Sequence, residues 1–340
     1  MYLPRHSLAA TMGLALLCAP PVGAVPSPPL RLERITYRGW KDSYRLSAGP
    51  YSLVVVPAIG GRIMAFSLGG RNSLWENPAE FGKLYGPNPD PWRNYGGYKT
   101  WNAPQSRWGF PPDTALDRGP AHVRVLKTPT GAPRGLEILG QSSDRFHLRF
   151  RKRVFLDPKT GAARLEQFMT NTGGKPQTWA LWDVTQVPAP CTVAFQANPK
   201  SRFPKGIYTY GQTKDTGQVS RDGDLVVVTW KGESAKFGGD CAAGWMVGLR
   251  GDLAYVKRFP PMSARHTYAD EGAYAQVYTN GRELPYVEME VSGPLVTLAP
   301  GGETGFVEEW QVVRLGSPKL SVQEAVSELR TKGVLHPAGR

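Results

Sequence analysis

Cysteine, histidine and helical periodicity are all scarce in this 340-residue chain, and each scarcity removes a class of function. Three cysteines cannot build the disulfide framework of a small secreted scaffold or the paired CxxC clusters of a zinc ribbon. There is no HExxH stretch, EF-hand loop, phosphate loop or dinucleotide fingerprint. Gly60-Gly61 and Gly69-Gly70 read as turns. No cofactor and no zinc or EF-hand calcium site is therefore expected, which leaves open a calcium held by scattered carboxylates. Beyond the N-terminus no stretch approaches the ~20 apolar residues of a membrane-spanning helix.

What is present begins with the pattern of an export signal. Arg5 and His6 lead into the apolar stretch from Leu8 to Cys18, followed by the small-residue pattern Val22-Gly23-Ala24. Cys18 follows Leu17, where a lipid-attachment site wants a small residue, so residues 1–24 read as a discarded leader and the protein as periplasmic or secreted. Residues 25–340 are then expected to form one large β domain. Cys191 and Cys241 remain in it. In an oxidising compartment they can form a bridge worth about 4 kcal/mol through loop closure, or they can stay apart as buried thiols. Losing Arg5 leaves 40 Lys and Arg against 28 Asp and Glu, a net +12. The excess is diffuse, and its densest group, Arg149, Arg151, Lys152 and Arg153, reads as a solvated strand face. Such a surface suits an acidic polysaccharide or the cell envelope. Without a recognisable nucleic-acid module, nucleic acid is not an expected partner.

Short β-like runs separated by Gly, Pro, Asn and Asp fill the body of the chain, the spacing of an all-β antiparallel sandwich. Tyr51 to Val56 and Arg62 to Leu68 make the first pair. Further strands are expected at His122–Leu126, Leu136–Leu139, Phe146–Leu156, Leu165–Asn171, Trp179–Gln186, Leu225–Trp230, Gly244–Leu249, Leu253–Arg258, Tyr274–Thr279, Tyr286–Val291, Leu295–Leu298 and Gly305–Leu315. Alternation is clearest where Phe146, Leu148 and Phe150 take one face and His147, Arg149 and Arg151 the other. Ser321 with Glu324 makes a capping box, and Val322, Val326 and Leu329 share a stripe, which predicts one helix over about 321–332.

Residues 76–121 lack strand periodicity and read as a long ordered loop, rich in proline, with Gly96-Gly97, Trp92, Tyr95, Tyr98, Trp101 and Trp108. A sugar presents a C–H face that stacks on aromatic planes and an edge of hydroxyls that needs polar partners. The stretch from Trp92 to Gln105 supplies both, with Asn94, Lys99 and Gln105 as the polar groups. The same rings can equally plug one end of a sandwich.

Two stretches resemble the galactose-mutarotase-like superfamily. Val54 to Ile63 followed by Leu74-Trp75-Glu76 is similar to the opening strands of aldose epimerase-like proteins. Tyr286 to Pro294, Leu298 to Glu303 and Glu309-Trp310 are similar to their closing strands. Asn94 to Gln105, with Trp108 and Pro111-Pro112-Asp113, resembles one bacterial subgroup known only as a domain of unknown function. The resemblance implies a large β-supersandwich with a sugar or glycan, possibly acidic, bound in a cleft. It implies Glu290 as the catalytic Glu, with Glu288 on the same face, and it adds Arg62 to the substrate-binding set. The family's histidines have no counterpart in His122, His147, His266 or His336, and a mid-chain catalytic His is replaced by the run Trp179 to Gln186. Asp183 in that run, Lys99 or a Tyr is left to supply the acid that pairs with Glu290, and the enzyme reading requires Glu290, Asp183 and Lys99–Trp101 to converge on one open cleft. Epimerase, polysaccharide lyase, hydrolase and non-catalytic envelope protein are the readings these residues admit. Produced by an exporting host, the mature protein should begin at Val25 by N-terminal sequencing. A product that keeps residues 1–24 would refute the leader.

Overall fold

The computed structural model describes residues 28–86, 92–211 and 216–336, so the leader and Pro87, Pro89 and Pro91 lie outside the described residues. Two antiparallel sheets face each other. Edge to edge, the first runs through β1 (Arg31–Tyr37), β2 (Trp40–Ala48), β3 (Tyr51–Val56), β4 (Arg62–Leu68), β6 (Tyr98–Ala103), β11 (Gln177–Pro188), β20 (Tyr286–Ser292), β19 (Ala275–Thr279), β16 (Ala235–Gly239) and β13 (Tyr208–Thr209). The short strands β5 (Arg71–Asn72) and β21 (Val296–Leu298) pair with β4 and β11. The second runs through β14 (Val219–Asp222), β15 (Leu225–Thr229), β12 (Thr192–Gln196), β17 (Trp245–Arg250), β18 (Leu253–Arg258), β22 (Glu303–Arg314), β10 (Ala163–Asn171), β9 (Leu148–Leu156), β8 (Pro133–Ser142) and β7 (His122–Lys127). The helices are α1 (Thr114–Arg118) and α2 (Val322–Thr331). None among the described residues is long and apolar enough to cross a membrane.

β9 alternates buried and half-buried positions along its whole length, as its apolar pattern requires. One member of its basic group departs from the solvated-face reading. Lys152 shares the parity of Leu148 and Phe150 and turns inward, and burial, aided by the Arg62 guanidinium, pushes its ammonium down to about 7. At the C-terminus, Ser321 and Glu324 cap each other's backbone amides, and Ala325, Val326 and Leu329 pack on Trp245, Val247 and Val256 of the second sheet. The β1–β2 hairpin has no forerunner among the expected strands, because β1 is an edge strand without a buried residue and its alternation is blurred. Cys191 and Cys241 are separate buried thiols in the fold.

Between the sheets the core is not wholly apolar. Phe66, Tyr98, Tyr255 and Trp310 pack edge to face or tilted, with ring centroids 4.9 to 6.4 Å apart. Beside them Lys257 of β18 donates to Asp183, to the Thr185 hydroxyl at 2.7 Å and to the Met289 carbonyl at 2.9 Å, all on the first sheet. Lys257 also lies 3.5 Å from Glu308 of β22, which accepts from Gln167 at 2.5 Å and from the Trp310 indole at 3.1 Å. Gln167 in turn accepts from the Thr100 hydroxyl of β6 at 2.8 Å. Lys257, Asp183 and Glu308 are all fully buried, so this network ties the two sheets together at fixed register. Burial, reinforced by Glu308 and opposed by Lys257, holds the Asp183 carboxyl well above the usual carboxylate range. Removing Lys257 leaves two carboxyls without their cation, and Lys257→Met should lose about 3–5 kcal/mol of stability. Urea unfolding with the midpoint unchanged would show that the network ties nothing.

Candidate functional site

Residues directly opposite each other in an antiparallel pair share a face, and registers across the first sheet therefore assign each polar side chain to a side. One row reads Lys99, Val184, Glu290, Gln276 and Gly238; the next reads Gln186, Glu288, Tyr278 and Lys236. Trp101 and Trp182 stand together in the row on the other flank. These residues occupy the outer face, away from the second sheet. The neighbours of opposite parity, Tyr98, Thr100, Asp183 and Thr185, point into the core network.

Glu290 is the centre of the outer face. One carboxylate oxygen accepts from the Trp182 indole at 2.9 Å and from Lys236 at 2.9 Å. The other has no hydrogen-bond partner among the described residues. Burial, opposed by Lys236 and reinforced by Glu288, pushes the Glu290 carboxyl up to about 7. Next to it Lys99 donates to Glu288 at 3.2 Å and sits 4.8 Å from the Trp101 ring centre, and Gln186 donates to the same Glu288 oxygen at 2.8 Å. Burial draws the Lys99 ammonium below its usual value, with Glu288 opposing. Side-chain oxygens of Gln186 and Gln276 are also buried without a partner among the described residues.

Over this floor opens a cleft of about 550 Å³, lined by Ala103, Gln105, Ser106, Gly109, Phe110, Trp182, Tyr210, Gly211, Lys236 and Asp270. The Lys236 ammonium lies 4.6 Å from the Trp182 ring centre and 5.0 Å from that of Tyr210. The Tyr210 hydroxyl donates to Ala273 O at 3.1 Å, and Gln276 donates to Asp270 at 3.0 Å. Burial, with Asp270 reinforcing it, raises the Tyr210 phenol well above its usual range. Asp270 and Glu271 at the rim hold φ of 51° and 56°, a left-handed pair that costs backbone strain. Asp270 therefore presents its carboxylate from a rim that the surrounding fold must hold in place.

The residues expected at the site divide into several groups. Glu290, Lys99 and Trp101 converge on the outer face, but the side chain of Glu290 is 1% exposed and lies beneath Lys236 and Trp182. Asp183 does not join them, because its parity on β11 sends it between the sheets to Lys257. Gln105 lines the cleft. Tyr98 is core. Residues 98–103 are a central strand, not loop, and α1 follows within the segment expected to be irregular. The strand lacks alternation because both its faces are buried and both carry polar groups.

Arg62 is fully buried, donating to Asp117 at 2.7 Å and to Gly96 O at 3.1 Å. Tyr95 packs on Trp40 and beneath the Arg62 guanidinium, Trp108 donates to Asn102 O, and Asn94 folds back to accept from the Gly96 amide. For Arg62, Asn94, Tyr95 and Trp108 the plug reading describes the environment. Gly96 and Gly97, with φ of 93° and 69°, approach the Trp75 carbonyl and Met64 rather than a ligand; a Cβ on Gly96 would meet the Trp75 oxygen at 2.4 Å. Trp92 alone of these rings is half-buried.

Sequence reasoning missed Trp182, Tyr210, Lys236, Asp270 and Phe110 as cleft residues, and Asp117 as their support. Trp182 stands in the run already noted as a departure from the family's histidine, which was a usable signal. Lys236 stands two residues before the weakly strand-like Gly238-Gly239, and Asp270 on a loop, so neither had a pattern to announce it.

A family model described as a domain of unknown function (DUF4380) matches residues 42–313, and the chain belongs to that family. No curated protein matches the sequence. The fold is that of the galactose-mutarotase-like proteins. A crystal structure of a candidate aldose 1-epimerase from Klebsiella pneumoniae superposes with a TM-score of 0.59 at 12% identity, over 90% of this chain and 87% of that one. The Slr1438 protein from Synechocystis sp. PCC 6803 gives 0.55 at 16% identity, over 87% and 99%. A galactose mutarotase-like protein from Clostridium acetobutylicum gives 0.53 at 11%, over 84% and 99%. At these identities the likeness carries the fold alone.

Glu290 gives a pH signature. Its folded value near 7 stands above the ordinary 4.5, so the unfolded chain releases the proton first and stability falls as pH rises from about 4.5 to 7. The loss amounts to roughly 3 kcal/mol. Glu290→Gln should remove that slope, gaining stability over the natural protein at pH 8 relative to pH 5 in urea titrations. Parallel pH profiles for the two proteins would refute the assignment.

Proposed function

We propose that this member of the DUF4380 family is an exported carbohydrate-binding protein that holds a saccharide in the cleft between Phe110 and Lys236. The observation that carries the reading is the meeting of ring planes and hydrogen-bonding groups in one open cleft over a polar floor. Trp182, Tyr210 and Phe110 offer planes to the C–H face of a sugar. Lys236, Asp270, Gln105 and Ser106 offer donors and acceptors to its hydroxyls. The volume of about 550 Å³ falls in the ~300–1,000 Å³ range of small-ligand sites. The Lys236 ammonium and the net positive charge of the chain favour an acidic sugar. Export rests on the leader pattern of residues 1–24.

A second reading, carbohydrate epimerisation at the anomeric carbon, is favoured by one observation, a Glu290 carboxyl poised near neutrality. Anomerisation needs one group to take the anomeric hydroxyl proton and another to protonate the ring oxygen. Asp270 and Lys236 line the cleft itself, while Glu290 holds Lys236 from behind. In this reading Asp270 is the base and Lys236 the acid, and Glu290 holds the Lys236 ammonium in place at 2.9 Å.

Calorimetry with neutral and acidic monosaccharides should give binding that Lys236→Met weakens about tenfold or more, the scale of a lost charge-assisted hydrogen bond. Equal affinity in the variant, or no saccharide bound at all, would overturn the binding reading. Polarimetry on a freshly dissolved α-sugar tests the second one. Faster mutarotation that Asp270→Asn abolishes supports it, and rates equal to buffer across common aldoses and uronic acids sink it.

A further inference from the structure

We infer that a second, larger cleft beside the first is a saccharide subsite for an acidic residue of the same glycan, with Phe110 as the ridge between the two. The inference rests on the reading of the first cleft as a saccharide site. It goes beyond that reading by naming the ligand as an oligosaccharide and placing its carboxylate.

Phe110 lines both clefts. Phe110 is 61% exposed, and it and Leu84 are the two large apolar residues more than half exposed among those described. The ring is not loose, since it stands edge-on against Trp92 at 5.3 Å and 76° between planes. An aromatic ring held upright between two cavities, rather than folded onto the core, is placed for contact with something that crosses it.

The second cleft has about 1180 Å³, roomier than the first, and Tyr85, Trp92 and Phe110 supply its aromatic wall. Arg118 also lines it. This side chain is 6% exposed, and its Nη2 donates to Gly86 O at 2.7 Å. Its Nη1 is buried and makes no well-formed hydrogen bond among the described residues, with the Tyr95 hydroxyl as its polar neighbour. Leaving one nitrogen of a buried guanidinium unsatisfied is costly, and a carboxylate at the cleft floor, which the side chain would shift slightly to meet, supplies the charge-assisted partner it lacks. An inorganic anion would use the guanidinium and leave three rings idle, whereas a uronic acid uses both. Continuity through Phe110 makes the occupant a neighbouring residue of one chain.

Calorimetry with galacturonic acid oligomers of one to five residues, and with neutral galactose oligomers of the same lengths, tests this. Affinity should rise at least tenfold from the acidic monosaccharide to the longer acidic oligomers, and less along the neutral series. Arg118→Gln should remove the difference between the two series. Ser142→Trp, which fills the cleft from an exposed position and leaves the buried guanidinium intact, should remove the gain with length. Both variants should bind the monosaccharide as the natural protein does. If the monosaccharide binds but length adds nothing, or Ser142→Trp keeps the gain, the second subsite is overturned while the first cleft stands. If no saccharide of any length binds, the first cleft falls and the subsite falls with it.

Discussion

One buried carboxylate holds the aromatic segment in place. Asp117 of α1 accepts from the Arg62 guanidinium at 2.7 Å and the Trp101 indole at 2.8 Å on one oxygen, and from the Trp92 indole at 3.0 Å on the other. Its three donors come from β4, β6 and the segment leading into β6, and β4 meets β6 in the ladder at Ile63 opposite Tyr98. A carboxylate this deep is tolerable only with its acceptor sites filled, and breaking such a set leaves an uncompensated charge. α1 must also come close to the turn after β3, since a Cβ on Gly60 would lie 2.4 Å from the Asp117 carbonyl oxygen. From Trp92 the constraint passes to Phe110, and from Trp101 to Trp182 at 5.4 Å. Two rings of the first cleft, Phe110 and Trp182, therefore trace back to one side chain.

The first sheet carries charge on both faces, and the period of two keeps the two sets apart. Asp183 and Glu290 stand on adjacent strands one register step apart, yet Asp183 belongs to the inter-sheet network with Lys257 and Glu308, and Glu290 to the outer face with Lys236. The inner set is sealed and can only hold the sheets. The outer set meets a cleft. A one-residue slip of β11 against β20 would turn Asp183 outward and Trp182 and Gln186 inward, so the buried network also enforces the register on which the outer face depends.

Much of this architecture was legible because apolar alternation was strong where one sheet face is core. Phe146, Leu148 and Phe150, the β3–β4 pair and the capping box at Ser321 all follow from local pattern. Legibility failed where burial and polarity coincide. Tyr98 to Ala103 reads as loop because Lys99, Thr100 and Asn102 are buried polar residues within a central strand. Lys152 reads as solvated from its basic neighbours, although its parity with Phe150 pointed inward. Asp183 was placed near Glu290 by the resemblance, and only the register could separate them. Lys236, Tyr210 and Asp270 come from β16, the end of β13 and a strained turn, brought together by pairings that no local window contains.

The aromatic richness of residues 92–110 and the binding chemistry are thus linked indirectly. Tyr95, Trp101 and Trp108 are at most 7% exposed, and a ring sealed that far has little surface left for a ligand. What they do is fix the rings that remain available. Trp101 braces Trp182 from the side, and Trp92 braces Phe110. A sugar stacks usefully only on planes that do not move when it arrives, because ordering a loose side chain on binding costs about 0.5–1.5 kcal/mol each time. A buried aromatic plug and an exposed stacking surface are therefore two ends of one contact chain, and the plug is what makes the surface rigid.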